Sequence, residues 1–127
     1  MKRTLDLLLR IKRLRKLNRT YRAEAYVFVL EALEHMMKKL PQSRHLSGQE
    51  LLEGIRQYAL EQFGPMARTV FEHWGIKNTL DFGHIVFDLV EVQLLRKREE
   101  DLLNDFKNGY DFKEAFDRKF EFFDPPK

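Results

Sequence analysis

Cysteine is absent from this chain of 127 residues. That removes disulfides, thiolate metal sites and a cysteine nucleophile, and a reducing cytoplasm is the expected location. The six glycines form neither GxxxxGK[ST] nor GxGxxG, so both phosphate-cradling loops are missing. No apolar run approaches the roughly 18 residues of a spanning helix, and no transmembrane segment is expected. The opening MKRTLDLLLRIKRLRK breaks its apolar stretch with charges and does not read as a secretory signal. The histidines His35, His45, His73 and His84 give neither HExxH nor Glu-x-x-His, so no metal or other cofactor is expected.

What is present is a core. Hydrophobic residues make up 43% of the chain, with 11 Phe, which argues for a folded single domain. The charge is uneven. Residues 1–19 carry eight Lys/Arg against one acid, Asp6, a net of +7; the rest holds fifteen basic and nineteen acidic residues, a net of −4. The pI of about 9.2 is therefore set by a basic arm on a mildly acidic body.

Helical spacing dominates. In the arm, Leu5, Leu8, Leu9, Ile11, Leu14 and Leu17 recur at mostly three- and four-residue steps between basic residues. After a break at Asn18-Arg19-Thr20, with Thr20 as a cap, YRAEAYVFVLEALEHMMKKL is apolar on most sides, as a central helix would be, and Pro41 ends it. Ser47 and Glu50 have capping-box spacing. The stripe Leu51, Leu52, Ile55, Tyr58, Ala59 and Phe63 follows, and Gly64-Pro65 closes that helix. Gly54, in mid-helix, implies close approach of another backbone. MARTVFEHWGI is a short helix stopped at Gly75. Asn78 or Thr79 caps a longer one running to Leu95. In RKREEDLLNDFKNGYDF, a helix ended by Asn108-Gly109 is favoured over a hairpin turning there. Asp111 with Glu114 caps FKEAFDRKF. The expected fold is mainly α: a single compact domain of about five or six helices, with a small β element near residues 95–112 as the alternative. Residues 1–19 form the basic amphipathic arm and 20–124 the helical domain.

The stretches AYVFVLEAL, HLSGQELLEGIRQYALEQFGPMARTVFEHWGI, DFGHIVFDLV and YDFKEAF, within residues 21–117, resemble a family of small uncharacterised bacterial proteins of planctomycete and verrucomicrobial type, known only as a domain of unknown function. The resemblance implies a bacterial, cytoplasmic protein. It implies no activity and no catalytic residue.

Candidate functional residues fall into four groups. Lys2, Arg3, Arg10, Lys12, Arg13, Arg15, Lys16 and Arg19 could grip phosphates without reading sequence, and the arm has no aromatic for base stacking. The leucines among them could instead lie on the body, on a protein partner or on an anionic membrane. Phe116, Phe120, Phe122 and Phe123 are a candidate partner surface beyond a Phe-rich core lid. His45 and Arg56 are polar residues that helix building leaves unassigned; with Tyr58 and Trp74 they outline the least favoured reading, an enzyme. Ser47, two residues from His45, is expected to cap a helix rather than act as a nucleophile. Asp81, His84, Asp88 and Glu91 share one face, read as solvated acid rather than a metal site. A helix-turn-helix across Gly75 is disfavoured because those acids would face DNA. The expected function is a non-enzymatic interaction module, forming a homo-oligomer or binding a protein partner. The alternative is a nucleic-acid- or ribosome-associated protein that uses the arm.

Overall fold

The structure, a computed structural model, describes residues 2–17, 19–42, 44–95 and 103–118. Five α-helices succeed one another: α1 (Lys2–Leu17), α2 (Ala23–Lys38), α3 (Gly48–Phe63), α4 (Ala67–His73) and α5 (Thr79–Glu91). A 3-10 turn, Gly64–Met66, joins α3 to α4, and another, Leu103–Phe106, follows α5. A wide-turned helical segment, Lys113–Arg118, closes the described chain. No strand occurs among the described residues.

Several boundaries lie where local chemistry puts them. Ser47 accepts from the Glu50 N–H at 3.1 Å while Glu50 accepts from the Ser47 N–H at 3.0 Å, so both ends of the capping box close at the start of α3. Asn78 and Asp81 repeat the arrangement at α5. Asp111 accepts from the Glu114 N–H at 3.1 Å.

Others differ from expectation. Thr20 does not cap α2. The N-cap is Arg22, without a side-chain bond, and its N–H donates to the Trp74 carbonyl at 3.1 Å. Next to Trp74, Gly75 has φ 91°, and a Cβ there would overlap the Thr20 carbonyl oxygen. The α1–α2 junction is thus strapped to the α4–α5 junction. Helix α5 stops at Glu91, short of Leu95. Gln93 turns left-handed at φ 64°, its N–H bonding Val90 O and the Leu94 N–H bonding Leu89 O, each at 2.9 Å. This is the Schellman pairing without its usual glycine, and no local residue type announces it. Gly54 makes room for the Met36 thioether of α2, a side chain rather than a backbone.

Around 95–112 residues 96–102 lie outside the described ones, and the described part of the expected helix is the 3-10 turn Leu103–Phe106. The small β element is absent from the described part. A two-residue hairpin of Asn-Gly type needs positive φ at both residues, and only Asn108 has it, at 56°. The Gly109 N–H bonds the Thr79 hydroxyl at 2.9 Å, and that hydroxyl donates to Phe106 O at 2.6 Å. A side chain of α5, not a partner strand, holds this loop.

The core is one cluster drawn from all five helices and the tail. Helix α2 packs on α1, α3 and α5. The centre is aromatic: Phe71 of α4 lies 5.3 Å from Phe28, 5.2 Å from Phe82 and 5.3 Å from Phe116, ring to ring. Phe116, expected on a partner surface, is fully buried here, because its ring packs on Phe71, Tyr110 and Phe112, and Arg68 on Asp117 at 2.7 Å tethers the same turn. Phe120, Phe122 and Phe123 lie outside the described residues.

Removing the Phe71 ring opens a cavity where α2, α3, α5 and the tail meet α4. Phe71→Ala is expected to cost about 3–5 kcal/mol in urea unfolding. Met66→Ala, at a side chain 55% exposed, should stay within about 0.5 kcal/mol. A loss below about 1 kcal/mol at Phe71 would contradict this packing.

Candidate functional site

At 100° per residue the arm's leucines do not form one stripe. Leu7, Ile11 and Leu14 point one way; Leu5, Leu8 and Leu9 point the other. Ile11 and Leu14 are 2% and 4% exposed and belong to the core, with Leu7 packed beside them. Leu5, Leu8 and Leu9 are 61%, 53% and 58% exposed. The single leucine stripe expected from the spacing is therefore two faces. The signal that separates them is angular position rather than step size.

The inward face is fixed by charge as well as packing. Arg10 donates to Val92 O at 2.8 Å and Gln93 O at 3.4 Å, at the end of α5, and pairs with Asp6 at 3.1 Å. The last carbonyls of a helix carry partial negative charge, which a guanidinium complements. Arg15 also turns inward far enough for its charge to act on Tyr26. Of the cations proposed for nucleic acid, Arg10 is thus committed to the fold. Lys12, Arg13, Lys16 and Arg19 are exposed, with no pairing among the described residues. The side chains of Lys2 and Arg3 lie outside the described ones. By angle, Lys12 and Lys16 share the outward sector with Leu5, Leu8 and Leu9, and Arg13 borders it.

The polar set His45, Arg56, Tyr58 and Trp74 does not converge. Arg56 and Tyr58, two residues apart, occupy opposite sides of α3. Arg56 pairs with Glu53 at 2.9 Å, and that carboxylate keeps its guanidinium strongly protonated. Tyr58 lies against His35 at 4.9 Å and Phe28 at 5.4 Å, whereas Trp74, half-buried, packs on Phe28, Phe63 and Phe71. Ser47 spends its oxygen on the helix cap. Beside His45, sequence reasoning missed Arg44, which donates to His45 O at 3.1 Å and grips Glu50 in a fork at 2.6 and 3.1 Å. Nothing in the spacing marks it.

The acidic face of α5 is only partly solvated, in contrast to its expected reading. Asp81 accepts from the Tyr21 hydroxyl at 2.6 Å and Asp88 from that of Tyr26 at 2.8 Å, joining α5 to α2 and its approach; His84 and Glu91 remain exposed. No group of three or more metal-ligating side chains occurs among the described residues. Burial and then these hydrogen bonds push both tyrosines well above the ordinary phenol range, and burial does the same for Tyr110, whose hydroxyl donates to Leu52 O at 2.9 Å.

A groove of about 670 Å³ runs beside the start of α5, with Lys77, Lys107 and Lys113 among its lining. Its arginine, Arg68, is taken by Asp117 and Glu72. No helix among the described residues is long and apolar enough to cross a membrane. No protein-family model, curated protein or solved structure matches the chain.

Two titrations follow from these contacts. The raised tyrosines favour the neutral phenol in the fold, so their contribution is complete below pH 10 and is lost as pH rises toward their folded values. In Tyr58→Phe protein, tyrosinate absorbance should appear only together with loss of helical circular dichroism; ionisation near pH 10 in a folded chain would contradict the pairs. Glu50 moves the other way. Arg44, then the Ser47 N–H, holds its carboxyl down at about 2. Its share of the α3 cap is present above the ordinary value of 4.5 and fades as pH falls through about 2. Carbon-13 titration should place the Glu50 midpoint there, and Arg44→Ala should raise it toward 4.5; an unmoved midpoint would discount the fork.

Proposed function

We propose that this protein is a non-enzymatic interaction module, and that its binding surface is the outward face of α1. One observation carries the reading: Leu5, Leu8 and Leu9 stay more than half exposed on a helix whose opposite face is built into the core. A helix that merely completed a fold would bury its apolar stripe and wet the rest. Here the side away from the core is apolar as well, and cationic. Phe116 is buried and drops out of the candidate partner surface, and the reading rests on the N-terminal helix. The missing convergence at His45, Arg56, Tyr58 and Trp74 weighs against an enzyme there. A cysteine-free chain suits a cytoplasmic setting, and the resemblance to small bacterial proteins of unknown function agrees with a bacterial one.

The second reading, a nucleic-acid or ribosome clamp, draws support from the exposed Lys12, Arg13, Lys16 and Arg19. Leucines gain nothing from phosphates, so that reading leaves Leu5, Leu8 and Leu9 without a purpose.

A photo-crosslinking residue in place of Leu8, in the full chain inside cells, tests the module without presuming its partner. Adducts to another molecule are expected from position 8 and none from position 11, which faces the core. Absence of adducts at position 8, or equal adducts at both, overturns the reading.

A further inference from the structure

Resting on α1 as the binding surface, we infer that its outward face docks on an anionic phospholipid surface. Two features of the face bear on the occupant, and they select differently. The leucines need an apolar phase. Three large side chains more than half exposed lie within five residues, about 6 Å of helix. The cations need negative charge. Lys12 and Lys16 continue the same sector toward the C-terminal end of α1, Arg13 borders it, and residues 1–19 together carry +7.

A second copy and a nucleic acid each satisfy one feature only. A second copy would cover the leucines but bring two +6 helices within the roughly 8–10 Å of helix packing, a separation that physiological salt, with a Debye length near 8 Å, screens incompletely. A nucleic acid would neutralise the charge and leave the leucines in water. An anionic bilayer takes both. Leucines enter the acyl boundary, while lysine stems run along it and lift their ammonium groups to the headgroup phosphates.

The attachment of α1 to the body suits this docking. Ile11, Leu14 and Arg10 hold the helix by its far side, so the outward face meets the surface without unfolding or detaching anything. The helix lies along the interface rather than across it; at 16 residues it is about 24 Å long. The apolar segment, residues 5–9, comes before the cationic segment, residues 12–16, and sits deeper than it.

Full-length protein is sedimented with vesicles of phosphatidylcholine alone and of phosphatidylcholine with phosphatidylglycerol, at low and high salt. Binding to the anionic vesicles is expected to exceed binding to the neutral ones by about tenfold or more, and to weaken with salt. Combined Leu5→Gln, Leu8→Gln and Leu9→Gln should reduce it by about a hundredfold with no loss of melting temperature. Combined Lys12→Gln, Arg13→Gln and Lys16→Gln should reduce it by about tenfold or more. Wild-type protein that ignores anionic vesicles, or a leucine variant that binds as wild type does, overturns the inference.

The failures are distinguishable. A dimer in light scattering that the leucine variant dissolves, in protein blind to vesicles, assigns the face to a second copy. RNA binding that needs the cations and not the leucines, in protein blind to vesicles, assigns it to nucleic acid. Either result removes the membrane and keeps α1 as a binding surface. Crosslinks absent at position 8 remove both.

Discussion

Phe71 is the residue on which the packing of this protein depends. It stands on α4, a helix of seven residues with no side-chain cap, far below the length at which a helix is stable by itself. Its ring nonetheless touches Phe28 of α2, Phe63 of α3, Phe82 of α5, and Phe112 and Phe116 of the tail, at 5.2–6.3 Å. These distances lie within the range of aromatic pairs, several of them close to edge-to-face. A short helix is stabilised by what it buries, and α4 buries the ring that the other segments share. Among the described residues the phenylalanines serve the interior. This leaves Phe116 no role at the surface.

Polar contacts then set the orientation that aromatic packing leaves free. Rings tolerate many angles; a phenol on a carboxylate does not. Tyr21 on Asp81 and Tyr26 on Asp88 lie seven residues apart on α5, two helical turns, and so fix the approach to α2 and α2 itself against one side of that helix. The strap from Arg22 to Trp74, with Gly75 against the Thr20 carbonyl, sets where α1 leaves the body. Arg10 on the end of α5 fixes where it lies. The position of the outward leucines is therefore the last term in a series that begins at Phe71 and passes through α2 and α5.

The chemistry visible in the sequence is the chemistry that acts over three or four residues. Ser47 with Glu50, Asn78 with Asp81 and Asp111 with Glu114 each close on themselves, so spacing alone locates three helix starts. The phenols lie 60 and 62 residues from their carboxylates, and no local pattern pairs them. For this reason Asp81 and Asp88 look like wet acid when read along α5. Gln93 ends its helix by adopting a conformation that glycine usually takes, and a glutamine gives no notice of that. In the arm the difficulty is of another kind. Both leucine faces obey helical spacing, and the sequence contains no statement of which one meets the body. Only the position of Arg10, angularly close to Leu14 and chemically matched to a helix end, leans toward the face that does.

The electrostatics of α1 bear on why such a helix would be built. No acid sits in its first turn, where the helix dipole favours one, and Lys12, Arg13 and Lys16 stand at repulsive three- and four-residue spacings. Arg15 and Lys16 in the last turn complement the dipole, and Asp6 relieves Arg10, but the net charge still works against the helix. Three exposed leucines add a second unfavourable term. Both terms belong to the unbound state alone. Against a surface that is negative and apolar at its boundary, the repulsion is screened by opposite charge and the leucines leave water. The features that make α1 costly in solution are then the ones that favour its docked state, and the core contacts of Ile11 and Leu14 maintain the helix until it docks.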